Sequence, residues 1–144
     1  MRAVLDTSTV VSALLWHGPS RQVLNAARAG SVDLFTSAVL LAELEDVLER
    51  PKFARRLAQA GASAHDLALG YAALALPVQP AVIDRVILED PDDDAVVACA
   101  VAAGADVVLS GDSHLLALGE YHEIRIMGAA QFLSIIDVER PANE

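Results

Sequence analysis

DPDDDAVVACAVAAGADVVLSGD, residues 90–112, changes character three times in one pass. It opens on aspartates around Pro91, continues as an unbroken run of small apolar residues, stops at Gly104, and resumes as Val107-Val108-Leu109 before Gly111 and Asp112. Proline and acids suit the first turn of a helix, where a missing N–H costs nothing and the helix dipole favours negative charge. Glycine suits its end. The run that follows reads as a strand over 106–109, because β-branched residues fit a pleated, buried surface. A helix feeding a short buried strand that ends near a carboxylate is the repeating unit of a parallel α/β sheet.

The same alternation fills the chain on either side. Residues 2–5 read as a strand ending at Asp6, 10–15 as a helix, and 19–29 as a second helix after a break at His17-Gly18-Pro19, with Gly30 as its stop. A second strand at 33–36 leads through Ser37, a candidate N-cap, into a helix over 38–49. Pro51 restarts the chain as a helix carrying Lys52, Arg55 and Arg56, a further helix covers 64–76, and Pro77 and Pro80 flank a weak strand near Val78. The last strand, 123–127, precedes a helix over 129–136. Strands separated by helical segments require crossovers, so the sheet should be parallel and covered on both faces. Ligands of such sheets bind outside the carboxyl ends of the strands.

Bulk properties agree with one domain, residues 1–138, and a frayed tail at 139–144. The chain is 144 residues long, 54% hydrophobic and 4% aromatic, a composition for helices packed on a sheet. Its longest apolar run, 95–103, is far short of the roughly 20 residues that span a bilayer. The start, MRAVLDTST, lacks the uninterrupted apolar core of a signal peptide. A cytoplasmic protein without membrane partners is expected. Cys99 is the sole cysteine and sits in VVACAVAA, so it reads as a small buried hydrophobe, and no cysteine-rich metal site can form. A formal charge of −10 opposes a broad basic face for nucleic acid.

The acids carry the functional question. Asp6 ends the first strand and Asp112 follows the strand 106–109, which places both at one sheet edge if the strands are neighbours. Each alone is also what a turn or cap would use. On the helix 38–49, at ~100° per residue, Leu40, Leu44, Val47 and Leu48 form an apolar stripe. Glu45, Asp46 and Glu49 lie opposite, and Glu43 borders the stripe where it can lean over the sheet edge. In Asp90-Pro91-Asp92-Asp93-Asp94, capping stabilises one or two carboxylates by ~0.3–1 kcal/mol each. The surplus repels itself and must be held apart by water or neutralised by a cation, for which a divalent metal is the economical answer. Oxygen donors suit Mg2+ or Mn2+, while the absence of cysteine pairs and of His-x-x-x-His argues against zinc. Of the scattered histidines His17, His65, His114 and His122, only His114 lies near a candidate acid, and it reads as a surface-loop residue.

With these residues in view, the chain resembles the PIN-domain family, and within it the toxin components of bacterial toxin–antitoxin pairs. The matches run in order as VLDTSTVVSALL, GPSRQVL, TSAVLLAELEDVLERPKF, DPDDDAVVACAVAAGAD and VVLSGDSHLL. The resemblance implies a three-layer α/β/α sandwich around a parallel sheet of about five strands, and an Mg2+- or Mn2+-dependent endoribonuclease. Carried over by position, Asp6 matches the first-strand aspartate, Glu43 the helix glutamate, and Asp112 the late aspartate of Ser110-Gly111-Asp112. Counting back from Ala98 and Gly104 gives Asp93 as the middle acid, whereas counting back from Ser110-Gly111-Asp112 gives Asp94; Asp93 is preferred. Glu89, Asp90 and Asp92 are then left to cap the helix or shape the field.

That resemblance further implies roles. Asp6 and Asp93 would be direct ligands, Asp112 a ligand or outer support, and Glu43 the holder of a water or a base, with Ser8 and Ser110 as supporting polar residues. An RNA substrate, a cognate antitoxin with a basic side chain for the acidic pocket, and a homodimer follow from the same likeness. Arg50, Lys52, Arg55 and Arg56 form the one basic cluster, which would either pair with Glu45, Asp46 and Glu49 or contact RNA backbone. Competing α/β readings lack parts. A receiver domain needs an acidic pair near the first strand and a late lysine, but the sole lysine is Lys52; a haloacid-dehalogenase-type phosphatase needs Asp-x-Asp, but the chain has Asp6-Thr7-Ser8. A PIN fold used as a binding module or housekeeping nuclease is the remaining rival.

Overall fold

A computed structural model of the chain describes residues 1–83 and 91–139. Glu89, Asp90 and the tail at 140–144, to which the sequence assigns capping and fraying, lie outside the described residues. The elements run β1 (Arg2–Leu5), α1 (Thr7–Leu15), α2 (Pro19–Arg28), β2 (Asp33–Thr36), α3 (Ala38–Leu48), a 3-10 turn (Pro51–Phe53), α4 (Ala54–Ala60), α5 (Ala64–Leu74) and β3 (Leu76–Pro77). They continue with α6 (Pro91–Ala103), β4 (Val107–Leu109), α7 (Ser113–Leu118), β5 (Glu120–Tyr121), β6 (Ile124–Met127) and α8 (Ala129–Glu139). The strands lie in the order β3-β2-β1-β4-β6-β5, parallel throughout except for β5 against β6.

Alternation along each strand builds two cores. Ala3, Leu5, Leu34, Val107, Leu109 and Met127 point to one face, where they meet α1, α2, α3, α5 and Phe132 of α8. Val4, Phe35, Val108, Ile124 and Ile126 point to the other, against α6 and Leu115 of α7. Both faces are therefore apolar at every central position, the mark of a sheet buried on both sides. Three layers result, α/β/α. The reversal in strand order falls at β1 and β4, which pair with Leu5 opposite Leu109, so the residues after them, Asp6 and Ser110, emerge side by side.

Local chemistry sets the joints. Gly104 ends α6 with φ +60, while Ala105 N–H reaches back to the carbonyl of Ala100 at 3.0 Å. This left-handed closure turns the chain directly into β4. Arg2 then ties the unit to β1, its guanidinium donating to the Ala103 carbonyl at 2.7 Å and lying over the Phe35 ring.

Several boundaries differ from the sequence reading. Helix α1 begins at Thr7 rather than near residue 10, because Asp6 caps it, accepting from Thr9 N–H at 2.8 Å. Strand β3 falls at Leu76–Pro77 rather than around Val78, although Val78 N–H still donates to Thr36 at 2.8 Å. Among the described residues the sheet has the expected five parallel strands, and β5 adds a sixth, antiparallel edge through a turn with His122 and Glu123 at positive φ. Neither residue is a glycine or asparagine, so the usual signal for that turn is missing. Among the described residues, no helix is long and apolar enough to cross a membrane.

Cys99 is fully buried in the α6 core, and burial pushes its thiol up from 9.0 to about 11. Tyr71 of α5 is raised above its ordinary 10.0 as well, first by burial and then by the charges of Cys99 and Asp6. A group raised in the folded state holds a proton that the unfolded chain releases. The stability these groups contribute is therefore complete below about pH 9 and lost as pH rises towards 11 and beyond for Tyr71. Thermal unfolding should show Tm falling across that window, with the lower part of the fall removed by Cys99→Ala. Native protein should resist thiol alkylation at pH 8, and full labelling without denaturant would contradict the buried placement.

Candidate metal centre and active site

Three caps position the acids at the carboxyl edge of the sheet. Asp6 ends β1 and caps α1; its Oδ1 accepts from Thr9 N–H, and its Oδ2 accepts from Ser110 Oγ at 2.5 Å. Ser110 Oγ in turn accepts from Asp112 N–H at 2.9 Å. Asp112 caps α7, its Oδ1 accepting from His114 N–H at 2.8 Å and Leu115 N–H at 3.2 Å. Ser37 caps α3, accepting from Leu40 N–H at 3.3 Å, and so fixes the helix that carries Glu43. A cap and a ligand are not alternatives here: using one carboxylate oxygen on backbone N–H groups orients the side chain and leaves lone pairs free.

Asp93 lies on the first turn of α6, only 6% exposed, and Asp6 is 5% exposed. Asp93, Asp112 and His114 offer ligand atoms within 4.8 Å of one another. Asp94 is half-buried and is not part of that group. Asp6 joins it through the Ser110 bridge rather than by direct grouping. Glu43 stands apart again, half-buried on α3 in a cleft with Thr7 and Ser8 of α1. The structure thus brings Asp6, Asp93 and Asp112 to one edge and sets Glu43 beside the α1 N-terminus.

The donor set fits a hard divalent ion. Ligand atoms at ~2.0–2.1 Å from Mg2+ lie up to roughly 4 Å apart, and those of Asp93, Asp112 and His114 all fall within 4.8 Å of one another. His114 adds a nitrogen donor, which suits Mn2+ better than Mg2+. Sequence reasoning left His114 as a surface histidine; it is exposed, but α7 turns its Nδ1 to 3.8 Å from Asp112. The signal lay in Asp112-Ser113-His114, two residues on one helical first turn. Tyr71 was also missed. Its buried hydroxyl has no hydrogen-bond partner among the described residues and stands within electrostatic reach of Asp6, and nothing in its sequence context marks it.

The basic cluster divides. Arg50 and Lys52 line the cleft that contains Glu43. Arg56 is engaged with α1, donating to the Leu15 carbonyl at 2.7 Å and lying over Trp16, while Arg55 is exposed on α4. Arg21, not singled out by sequence, donates to the carbonyls of Ala13 and Leu14, so two arginines close the C-terminal end of α1. Glu45 pairs with His65 at 2.5 Å.

No curated protein and no solved structure matches the chain. A family model described as PIN domain matches residues 2–114, from β1 through His114, and so takes in every acid of the site; the chain belongs to the PIN domain family.

Proposed function

We propose that the protein is a metal-dependent endoribonuclease that hydrolyses RNA phosphodiester bonds. The observation that supports it most is the convergence of Asp93, Asp112 and His114 with the Asp6–Ser110 pair at the carboxyl edge of β1 and β4. PIN domains are generally nucleases. A bound Mg2+ or Mn2+ would act as Lewis acid on the phosphate and make a coordinated water more acidic. Asp93 and Asp112 would hold the ion, with His114 or Asp6 completing the set. Ser110 keeps Asp6 oriented, and Ser8, two residues beyond Asp6, offers a hydroxyl at the rim. Glu43, in the cleft beside the α1 N-terminus, would hold a water or accept its proton. Asp94 is left to the helix dipole.

The narrower reading is that of a cytoplasmic toxin held by an antitoxin and acting as a homodimer. It draws on the ordered sequence resemblance and on the acid pocket, which complements a basic side chain. Co-expression with the product of an adjacent small reading frame should abolish cleavage.

Labelled single-stranded RNA should be cut in Mn2+ and not in EDTA, and Asp6→Asn with Asp93→Asn should lower the rate by at least roughly a hundredfold. Cleavage that survives the double substitution would end this assignment. Ion binding can be read without activity: at a concentration of a hundred times Kd it stabilises by ~2.7 kcal/mol. For a domain of this size that raises Tm by roughly 5–10 °C. Asp93→Asn and Asp112→Asn should each remove most of that rise, and His114→Ala a smaller part.

A further inference from the structure

Helices α1 and α3 start side by side at the sheet edge that bears the acids, α1 from Asp6 and α3 from Ser37, and pack along their lengths. Between them runs a cleft of about 390 Å³, within the ~300–1,000 Å³ range of ligand-binding pockets. Its residues change in kind from end to end. Ser8 and Glu43 lie at the acid end, and Trp16, Phe53, Arg50 and Lys52 at the other. Trp16 is eight residues beyond Ser8 and Arg50 seven beyond Glu43, so the two ends are separated by two helical turns, ~10–12 Å.

The far end is built rather than incidental. Trp16 is the only tryptophan, and it leaves 40% of its surface exposed where a core role would hide it. Its orientation is held from two sides. Phe53 meets it at 6.1 Å between ring centres with planes 65° apart, and the Arg56 guanidinium lies over it at 5.4 Å while anchored to Leu15. Lys52 and Arg50 are both exposed, with Lys52 poised over Phe53 at 5.1 Å. A rigid exposed aromatic with two cations beside it matches a base and its phosphate: stacking accepts any base, and the cations take the backbone charge. In a chain of formal charge −10, cations placed here attract an anion locally where the acid end would repel it.

We infer that the α1–α3 cleft is a seat for single-stranded RNA, in which a nucleobase next to the scissile phosphate stacks on Trp16 and the adjoining phosphate meets Arg50 and Lys52. The inference rests on the nuclease reading for the position of the scissile phosphate, but the seat is testable without it. Duplex RNA, whose bases are already stacked and paired, does not fit.

The lone tryptophan makes the test direct. Asp6→Asn protein in EDTA, which cannot turn over, is titrated with a single-stranded oligoribonucleotide while tryptophan fluorescence is followed. Saturable quenching is expected, with apparent Kd raised about tenfold in Arg50→Ala/Lys52→Ala and no comparable quenching by a duplex of the same sequence. In the active protein, Trp16→Ala should raise KM by roughly 5- to 100-fold with a smaller effect on kcat, and Trp16→Phe should recover part of it. Quenching without cleavage by wild-type protein would leave the seat standing and remove the nuclease assignment. Cleavage without quenching, equal quenching by duplex, or equal quenching by polyglutamate would remove the seat and leave the assignment untouched.

Discussion

The hydrogen bond from Ser110 Oγ to Asp6 Oδ2 links the ends of the two central strands, and the organisation of the site depends on it. A carboxylate that is only 5% exposed must be compensated by hydrogen bonds or charge. Asp6 has the Thr9 N–H on one oxygen and the Ser110 hydroxyl on the other, and Ser110 can serve there only because Leu5 pairs with Leu109 in parallel register. A slip of one residue along β1 or β4 would exchange the two faces of that strand and turn the apolar set out of its core. Core packing and site geometry are thus one constraint, and the register that buries Ala3, Val4 and Leu5 is the register that aligns the acids.

Caps carry that constraint outward. Asp6, Ser37 and Asp112 each stand at the first residue beyond a strand or turn and each accepts from a backbone N–H of the helix that follows. The orphan donors of a helix N-terminus attract oxygen ligands in any case. Where α1 and α7 begin beyond the carboxyl ends of β1 and β4, satisfying those donors with Asp6 and Asp112 gathers negative charge at that edge, and a cation would lower the cost of having gathered it. Burial of Tyr71 near Asp6 adds no further negative charge there, since desolvation keeps the phenol neutral.

Much of this was legible because it depends on local chemistry. The strands at Arg2–Leu5 and Asp33–Thr36, the Ser37 cap and the stop at Gly104 were read where the structure has them, each from a signal confined to a few neighbours. The position of Glu43 followed from helical periodicity. What escaped was short or three-dimensional. Helix α7 has six residues and β5 two, too few for periodicity to register, and the β5–β6 turn places ordinary side chains at positive φ. Tyr71 and Trp16 acquire meaning from partners distant in sequence, Asp6 and Arg56, and His114 acquires its full setting only when Asp93 joins it and Asp112. The basic cluster looked uniform as a string of residues, yet Arg56 spends its guanidinium on the end of α1 while Arg50 and Lys52 remain at the cleft.

That division bears on how so acidic a chain could engage a polyanion. Net charge describes the far field, which falls off within about a Debye length, ~8 Å at physiological ionic strength. Two helical turns separate the acids from Arg50 and Lys52, a distance similar to that length, so the two ends of the cleft act on a bound strand almost independently. Arg56 at the C-terminal end of α1 also sits where the helix dipole is negative, and Asp6 at its N-cap sits where it is positive. The charge pattern therefore stabilises α1 while giving the cleft polarity. A strand bound as proposed would have its orientation set by the fold, with backbone charge drawn to one end and the bond to be broken carried to the other.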